Sequence, residues 1–201
     1  MSNAFVFLGP ILFMLGCFPG PNSDTVDRSA DLSEQNEKLG ITLILESSVC
    51  NIDAVVELVE KGADVDFFGE ARNSFPQSPL EVAVAGGCPE VVTLLIDKGA
   101  QVNSRGAEYS ATLLHQAAGL GHEQIVRSLV NAGIDVNSKD GGGNTALMWA
   151  AEAGQLHAVN ALLELGARVN ERDYSGRTAV DRSRSQVKQT LIAYGGISGT
   201  K

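Results

Sequence analysis

The stretch Thr112–Asn137, TLLHQAAGLGHEQIVRSLVNAGIDVN, decides the fold. Leu113, Leu114, Ala117 and Ala118 fall at helical spacing behind a threonine whose hydroxyl can cap free backbone N–H groups. Gly121 and His122 break that run, and Ile125, Val126, Leu129 and Val130 then line one face of a second short helix. Gly133 supplies a residue that takes positive φ just past a helix end. The segment reads as helix, tight turn, helix and glycine stop. Two helices this short cannot bury their apolar faces alone, so the chain must provide neighbours.

It provides three. Ser78–Asn103 and Thr145–Asn170 align with the first stretch without a gap, and Ile41–Asp66 is a weaker copy. The starts at 78, 112 and 145 lie 34 and 33 residues apart, and a fifth start, Thr178-Ala179-Val180, lies 33 residues further on. Leu43, Leu80, Leu114 and Leu147 recur on the first helix; Leu58/Val59, Leu95/Ile96, Leu129/Val130 and Leu162/Leu163 recur on the second. Stacking the copies joins these positions into continuous seams, which form the core. Glu46, Ser47 and Ser48 in the first copy replace small apolar residues, as expected of a cap. The last copy is short and carries Asp181, Arg182, Arg184, Lys188 and Gln189, which suits an end that meets water.

The openings Ser78-Pro79-Leu80 and Thr112-Leu113-Leu114-His115, the Gly121-His122 turn and the closing Gly-Ala-x-Val-Asn resemble the ankyrin-repeat family. So do the connections Asp140-x-x-Gly143-x-Thr145 and Asp173-x-x-Gly176-x-Thr178. The resemblance implies an all-α solenoid of stacked helix-turn-helix units with hairpin fingers, about four repeats plus a shortened C-terminal cap. It also implies a structural hydrogen-bonding role for His115 at its helix start, and a concave binding face made of finger tips and first helices.

Ala4–Phe18 is an uncharged apolar run of 15 residues, interrupted by Gly9-Pro10. A membrane-spanning helix needs about 20, and the length suits the apolar region of a secretory signal. Met14-Leu15-Gly16-Cys17 resembles the lipobox of bacterial lipoproteins: Gly16 and Cys17 match it, and Met14 and Leu15 depart from it. The resemblance implies lipidation of Cys17. Residues 18–38 are rich in Pro, Gly, Ser, Asn and Asp and read as a flexible tether, helical near its end at most. The expected organisation is a signal segment over 1–17, a tether over 18–38, a repeat domain over 39–195 and a tail over 196–201. The expected location is periplasmic or lipid-anchored, or cytoplasmic should the first segment not act as a signal.

A formal net charge of −9 argues against a nucleic-acid binder. The charge is uneven: residues 1–66 hold 3 basic and 11 acidic residues, whereas 168–201 hold 7 and 3. His115, His122 and His157 fall in different phases of the repeat and do not suggest a metal site. No phosphate loop, metal-ligand pair or nucleophile turn is present, and Gly141-Gly142-Gly143 is a hairpin tip. Neither catalytic residues nor a cofactor is expected. Trp149 stands where neighbouring repeats pack, so a core role is expected. Cys50 and Cys88 occupy adjacent turn positions of neighbouring copies. Stacked helices sit about 8–10 Å apart, beyond a disulfide's reach of about 7 Å between Cα atoms, so two unpaired residues are expected.

Function should lie where the copies differ. The connection Phe67–Gln77 holds three of the chain's seven phenylalanines, either as a partner surface or with Phe67 or Phe75 tucked beneath the finger. The next connection offers Arg105 and Tyr109. With the face that the resemblance implies, the candidate contacts are Phe68, Arg72, Arg105, Tyr109, Lys139 and Tyr174. The expected activity is non-enzymatic binding of a protein partner by a monomer, with the membrane reached only through the lipid anchor. A stoichiometric inhibitor or immunity-type protein for an exported toxin or hydrolase fits the same features. A purely structural repeat protein fits them too, and an enzyme with an unrecognised site is the remaining class.

Overall fold

Short helices need strong starts, and each repeat from the second onward provides one. The computed structural model describes residues 28–69, 76–103 and 111–199, with backbone alone at 28–31 and 185. Its helices are α1 (Arg28–Ser48), α2 (Ile52–Glu60), α3 (Pro79–Gly86), α4 (Pro89–Asp97), α5 (Leu113–Leu120), α6 (Glu123–Asn131), α7 (Ala146–Ala153), α8 (Leu156–Glu164), α9 (Ala179–Arg182) and α10 (Ser185–Ala193). Ser78 caps α3 by accepting from the Glu81 amide at 3.2 Å, while the Glu81 carboxylate accepts from the Ser78 amide at 2.8 Å. Thr112 with His115 and Thr178 with Asp181 form the same reciprocal box.

Antiparallel pairs stack in chain order into the expected all-α solenoid. Leu43, Leu80, Leu114 and Leu147 are at most 1% exposed, and Leu95, Leu129 and Leu162 are fully buried. Their partners Val59, Ile96, Val130 and Leu163 are half-buried against the same core. Among the described residues the only pairing outside helices is an isolated bridge at the base of two fingers, Gly69 with Gln77 and Lys139 with Thr145. Helix α1 begins at Arg28, within the stretch whose composition suggested a tether.

Neighbouring repeats are also tied by polar side chains. The closing residue of a repeat accepts from a backbone amide of the next: Asp66 from Gln101 at 2.8 Å, Asn137 from Arg168 at 2.8 Å and Asn170 from Ile197 at 2.9 Å. The buried His115 makes the other link. Its Nδ1 accepts from the Thr112 amide at 3.2 Å, so the proton sits on Nε2, which donates to the Asn144 carbonyl of the next finger at 2.9 Å. This is the structural role expected of it.

Each complete finger is organised by one carboxylate. Asp140 accepts from the amides of Gly142 and Asn144 at 2.8 Å and from Trp149 Nε1 at 2.9 Å. Asp173 accepts from Ser175 at 2.8 Å, from Arg177 at 2.9 Å and from Arg182 Nη2 at 2.8 Å. Burial pushes both carboxyls up, and these hydrogen bonds outweigh it, leaving Asp140 lowered and Asp173 at about 2.

The two ends depart from expectation. Ser47 does not face outward but is fully buried against the second repeat, while Ser48 is exposed. Asp181 and Arg182 are turned into the structure: Arg182 pairs with Glu152 and Asp173, and Asp181 accepts from the amides of Thr178 and Gly199. Arg184, Lys188 and Gln189 do meet water. Residues 196–199 lie along the last finger, where Thr178 donates to the Ile197 carbonyl at 2.8 Å.

Cys50 and Cys88 form a disulfide, with Cα atoms 5.2 Å apart, contrary to the expected free thiols. Spacing between helix axes does not apply to them. Cys50 lies in the turn after α1 and Cys88 is the N-cap of α4, and the turn of one repeat leans directly onto the next. At the matching positions Gly87 and Gly121, an added Cβ would come within 2.6 Å of His122 and 2.5 Å of Gln155. In the first repeat that contact is covalent. Cys50 has a φ of 59°, the left-handed region, the one such non-glycine among the described residues. That conformation costs roughly 1–2 kcal/mol without glycine. Closing a loop with a sequence separation of 38 offsets this with about 4 kcal/mol of lost unfolded-state entropy.

Two outcomes follow from the polar framework. His115→Ala removes a buried donor and acceptor together and should cost about 2–3 kcal/mol in urea unfolding. Asp173 titrates lower folded, at about 2, than unfolded, at about 3.9. Its contribution is therefore complete above about pH 4 and is lost as pH falls towards 2. Asp173→Asn should be less stable at pH 7 and show a shallower loss over that acid range, measured by thermal midpoint against pH.

Candidate functional site

The exposed sides of the first helices are built from small and apolar residues because neighbouring helices lie close there. A Cβ on Gly86 would lie 3.0 Å from the Ser48 carbonyl, and one on Gly119 would lie 3.3 Å from the Trp149 ring. Beside them Val49 is 67% and Leu120 47% exposed, and Ala85 and Ala153 are exposed. Trp149 crosses this surface half-buried, its indole tied to Asp140 and its ring edge-on to His115 at 5.7 Å. The expected core role holds for most of the ring; the rest is available to a partner. At one end Glu152, 63% exposed, is held by Arg182.

The first finger divides its two described phenylalanines. Phe67 lies on Gly40 of α1, where a Cβ would fall 2.2 Å from its ring, so only glycine allows this packing. Phe68 points the other way and is 65% exposed. Between α1 and this finger runs an open groove of about 1030 Å³, lined by Leu32, Glu37, Ile41, Asp64, Phe67 and Phe68. Leu32 is 58% exposed at its rim.

The other candidate contacts differ in freedom. Tyr174 is 78% exposed, and its ring covers the preceding finger's Gly143, where a Cβ would meet it at 2.7 Å. Its amide donates to the Gly142 carbonyl at 3.2 Å. Lys139 is occupied: it pairs with Glu171 at 2.8 Å and donates to the Arg172 carbonyl at 3.1 Å. Lys139 and Tyr174 thus share the last two fingers, while Phe68 stands on the first. Arg72, Arg105, Tyr109 and Cys17 lie outside the described residues.

Sequence reasoning missed Val49, Leu120 and the contribution of α1 to the groove. Leu120 stands in the turn position that Gly86 and Ala153 occupy in its neighbours, and that excess of apolar bulk was the available signal. On the second helices, Arg127 joins Glu123 at 3.0 Å and Glu164 at 2.6 Å, an exposed network whose role is surface packing. Among the described residues, no group of three His, Cys, Asp or Glu side chains is placed to hold a metal.

Comparison with known proteins agrees with this architecture. The family model "Ankyrin repeats (3 copies)" matches residues 104–173, and the model "Ankyrin repeat" matches 77–107. The chain is 40% identical over 95 residues to the Transient receptor potential cation channel subfamily A member 1 homolog of Caenorhabditis elegans, covering 47% of this chain and 7% of that protein. It is 33% identical over 135 residues to Neurogenic locus notch homolog protein 2 of Homo sapiens, covering 64% and 5%. It is 32% identical over 131 residues to Neurogenic locus notch homolog protein 1 of Xenopus laevis, again covering 64% and 5%. The chain spans less than a tenth of the length of these relatives. What it shares with them is the repeat array: residues 77–173 are ankyrin repeats, and the chain belongs to the ankyrin-repeat family.

Proposed function

We propose that this chain is a non-enzymatic binding module that holds a protein partner against its first helices and finger tips, the concave face of an ankyrin stack. Ankyrin repeats are in general protein-interaction modules. The observation that carries the reading is the apolar exposure of Phe68 on the first finger and of Tyr174 on the last, whose Asp173 is already spent on the fold. Leu120 and the free part of Trp149 extend that surface, and Arg72, Arg105 and Tyr109 complete the contact set. Aromatic and Arg anchors on a rigid scaffold bind with little ordering cost.

The module is exported and held to a membrane through a lipid on Cys17. The apolar run Ala4–Phe18 supports this reading. So does the Cys50–Cys88 bond, since structural disulfides persist in oxidising compartments and are rare in the cytosol.

Capture of a partner by the full chain is expected to weaken about tenfold or more for each of Phe68→Ala, Leu120→Ala and Tyr174→Ala, with the unfolding midpoint unchanged. Arg127→Ala, on the second helices, should leave capture as it was. Unaltered capture by all three variants would place the binding face elsewhere. For export, fractionation should find the chain in the membrane, cleaved before Cys17, and Cys17→Ser should release it from that fraction. Full-length chain in the cytosol with Met1 retained would rule the signal out.

A further inference from the structure

On its second-helix side, the interface between the first and second repeats buries less than the two that follow it. Helix α2 buries Val55 and Leu58, whereas α4, α6 and α8 each bury three or more residues. Leu58 is still 9% exposed, while its counterparts Leu95, Leu129 and Leu162 are fully buried. Where the other copies place Val84, Ala118 and Ala151, the first places Ser47, whose fully buried hydroxyl has no hydrogen-bond partner among the described residues. An unsatisfied buried hydroxyl works against docking. The disulfide crosses this one interface. It occupies the place of the Gly87–His122 and Gly121–Gln155 contacts further along. Cys50 takes a left-handed backbone that those glycines take without cost, so its sulfur is what justifies its presence.

We propose that the Cys50–Cys88 bond is a redox-operated fastener: oxidised, it holds α1 and α2 on the stack; reduced, it lets them undock as a unit. The two sulfurs differ in access in the way such a device requires. Cys50 is exposed, and Cys88 is 1% exposed with its Sγ 3.5 Å from the Ser47 carbonyl. A thiolate of an external dithiol attacks the Cys50 sulfur, and Cys88 leaves with the electron pair as thiolate. The second thiol of the dithiol then attacks the mixed disulfide, releasing Cys50 and closing its own disulfide. Two electrons and two protons pass from the dithiol to the protein. The reverse step takes a small-molecule disulfide as oxidant. Undocking separates α1 from the second repeat and uncovers the end formed by α3 and α4. The groove between α1 and the first finger moves with the undocking repeat, because both of its walls belong to it. The inference does not depend on which partner is bound.

Alkylation and hydrogen exchange of the full chain test it, with dithiothreitol as the reductant. In the oxidised chain neither Cys50 nor Cys88 should alkylate, and both should alkylate after reduction. Reduction should raise amide exchange in α2 and the second half of α1 at least tenfold and leave α5–α8 unchanged. The double substitution Cys50→Gly with Cys88→Ser should exchange like the reduced chain, with or without reductant. Equal exchange before and after reduction would overturn the proposal. So would reactive Cys50 and Cys88 before reduction, or a double variant as protected as the oxidised chain.

Discussion

A helix of eight or nine residues does not persist alone in water, because nucleation costs more than so few hydrogen bonds return. After α1, every helix in this chain is that short or shorter. All stability must therefore come from faces buried against neighbours. That one constraint explains the repeated leucines, the exact reuse of the same turns and the behaviour of the two ends. An interior repeat is covered on both sides; an end repeat is covered on one. The last repeat compensates with polar ties, in which Ile197 and Gly199 hold the terminal segment to Asn170 and Asp181. The first compensates with a covalent bond.

The same constraint clears away most apparent chemistry. Asp140, Asp173, His115 and Asn170 are the residue types that catalysis would recruit, yet each is saturated by backbone groups of its own or a neighbouring finger. The lowered carboxyls of Asp140 and Asp173 and the fixed tautomer of His115 follow from that service, and a perturbed carboxyl in a loop is here a sign of architecture. Among the exposed groups that serve no such bond are the apolar Phe68, Leu120 and Tyr174. A surface that spends its polar groups on shape and leaves its aromatic groups exposed is suited to recognition by contact.

The periodic part of the fold was fully legible in the sequence, because seam leucines, helix caps and glycine stops are local rules repeated in phase. The role of His115 was legible for the same reason. Three features were not. The disulfide was judged by the spacing of helix axes, whereas the cysteines lie in turns, whose separation differs from that of the axes. Arg182 and Asp181 were judged by charge alone, while their partners Asp173, Glu152 and Gly199 come from separate segments. Lys139 was chosen as a candidate contact, and its pairing with Glu171, one repeat further on, was not foreseen. Of the candidate surface, Phe68 and Tyr174 could be chosen for their place in irregular or protruding connections. Val49 and Leu120 were not, since nothing in a single copy says how far a turn projects and only comparison between copies marks their bulk.

The irregularities gather at one end. The first repeat has the most divergent helices, the longer finger, the exposed Phe68 and the only disulfide among the described residues. It also carries much of the acidic charge. In a solenoid with nearest-neighbour coupling, an end repeat is the one element that can open without breaking two interfaces. Placing both the variable surface and the cross-link there separates two tasks. The interior repeats supply a rigid platform, and the first repeat can be tuned, or fastened, without disturbing it. The cross-link then does more than add stability: it sets how much of the N-terminal surface is held in the geometry that a partner would meet.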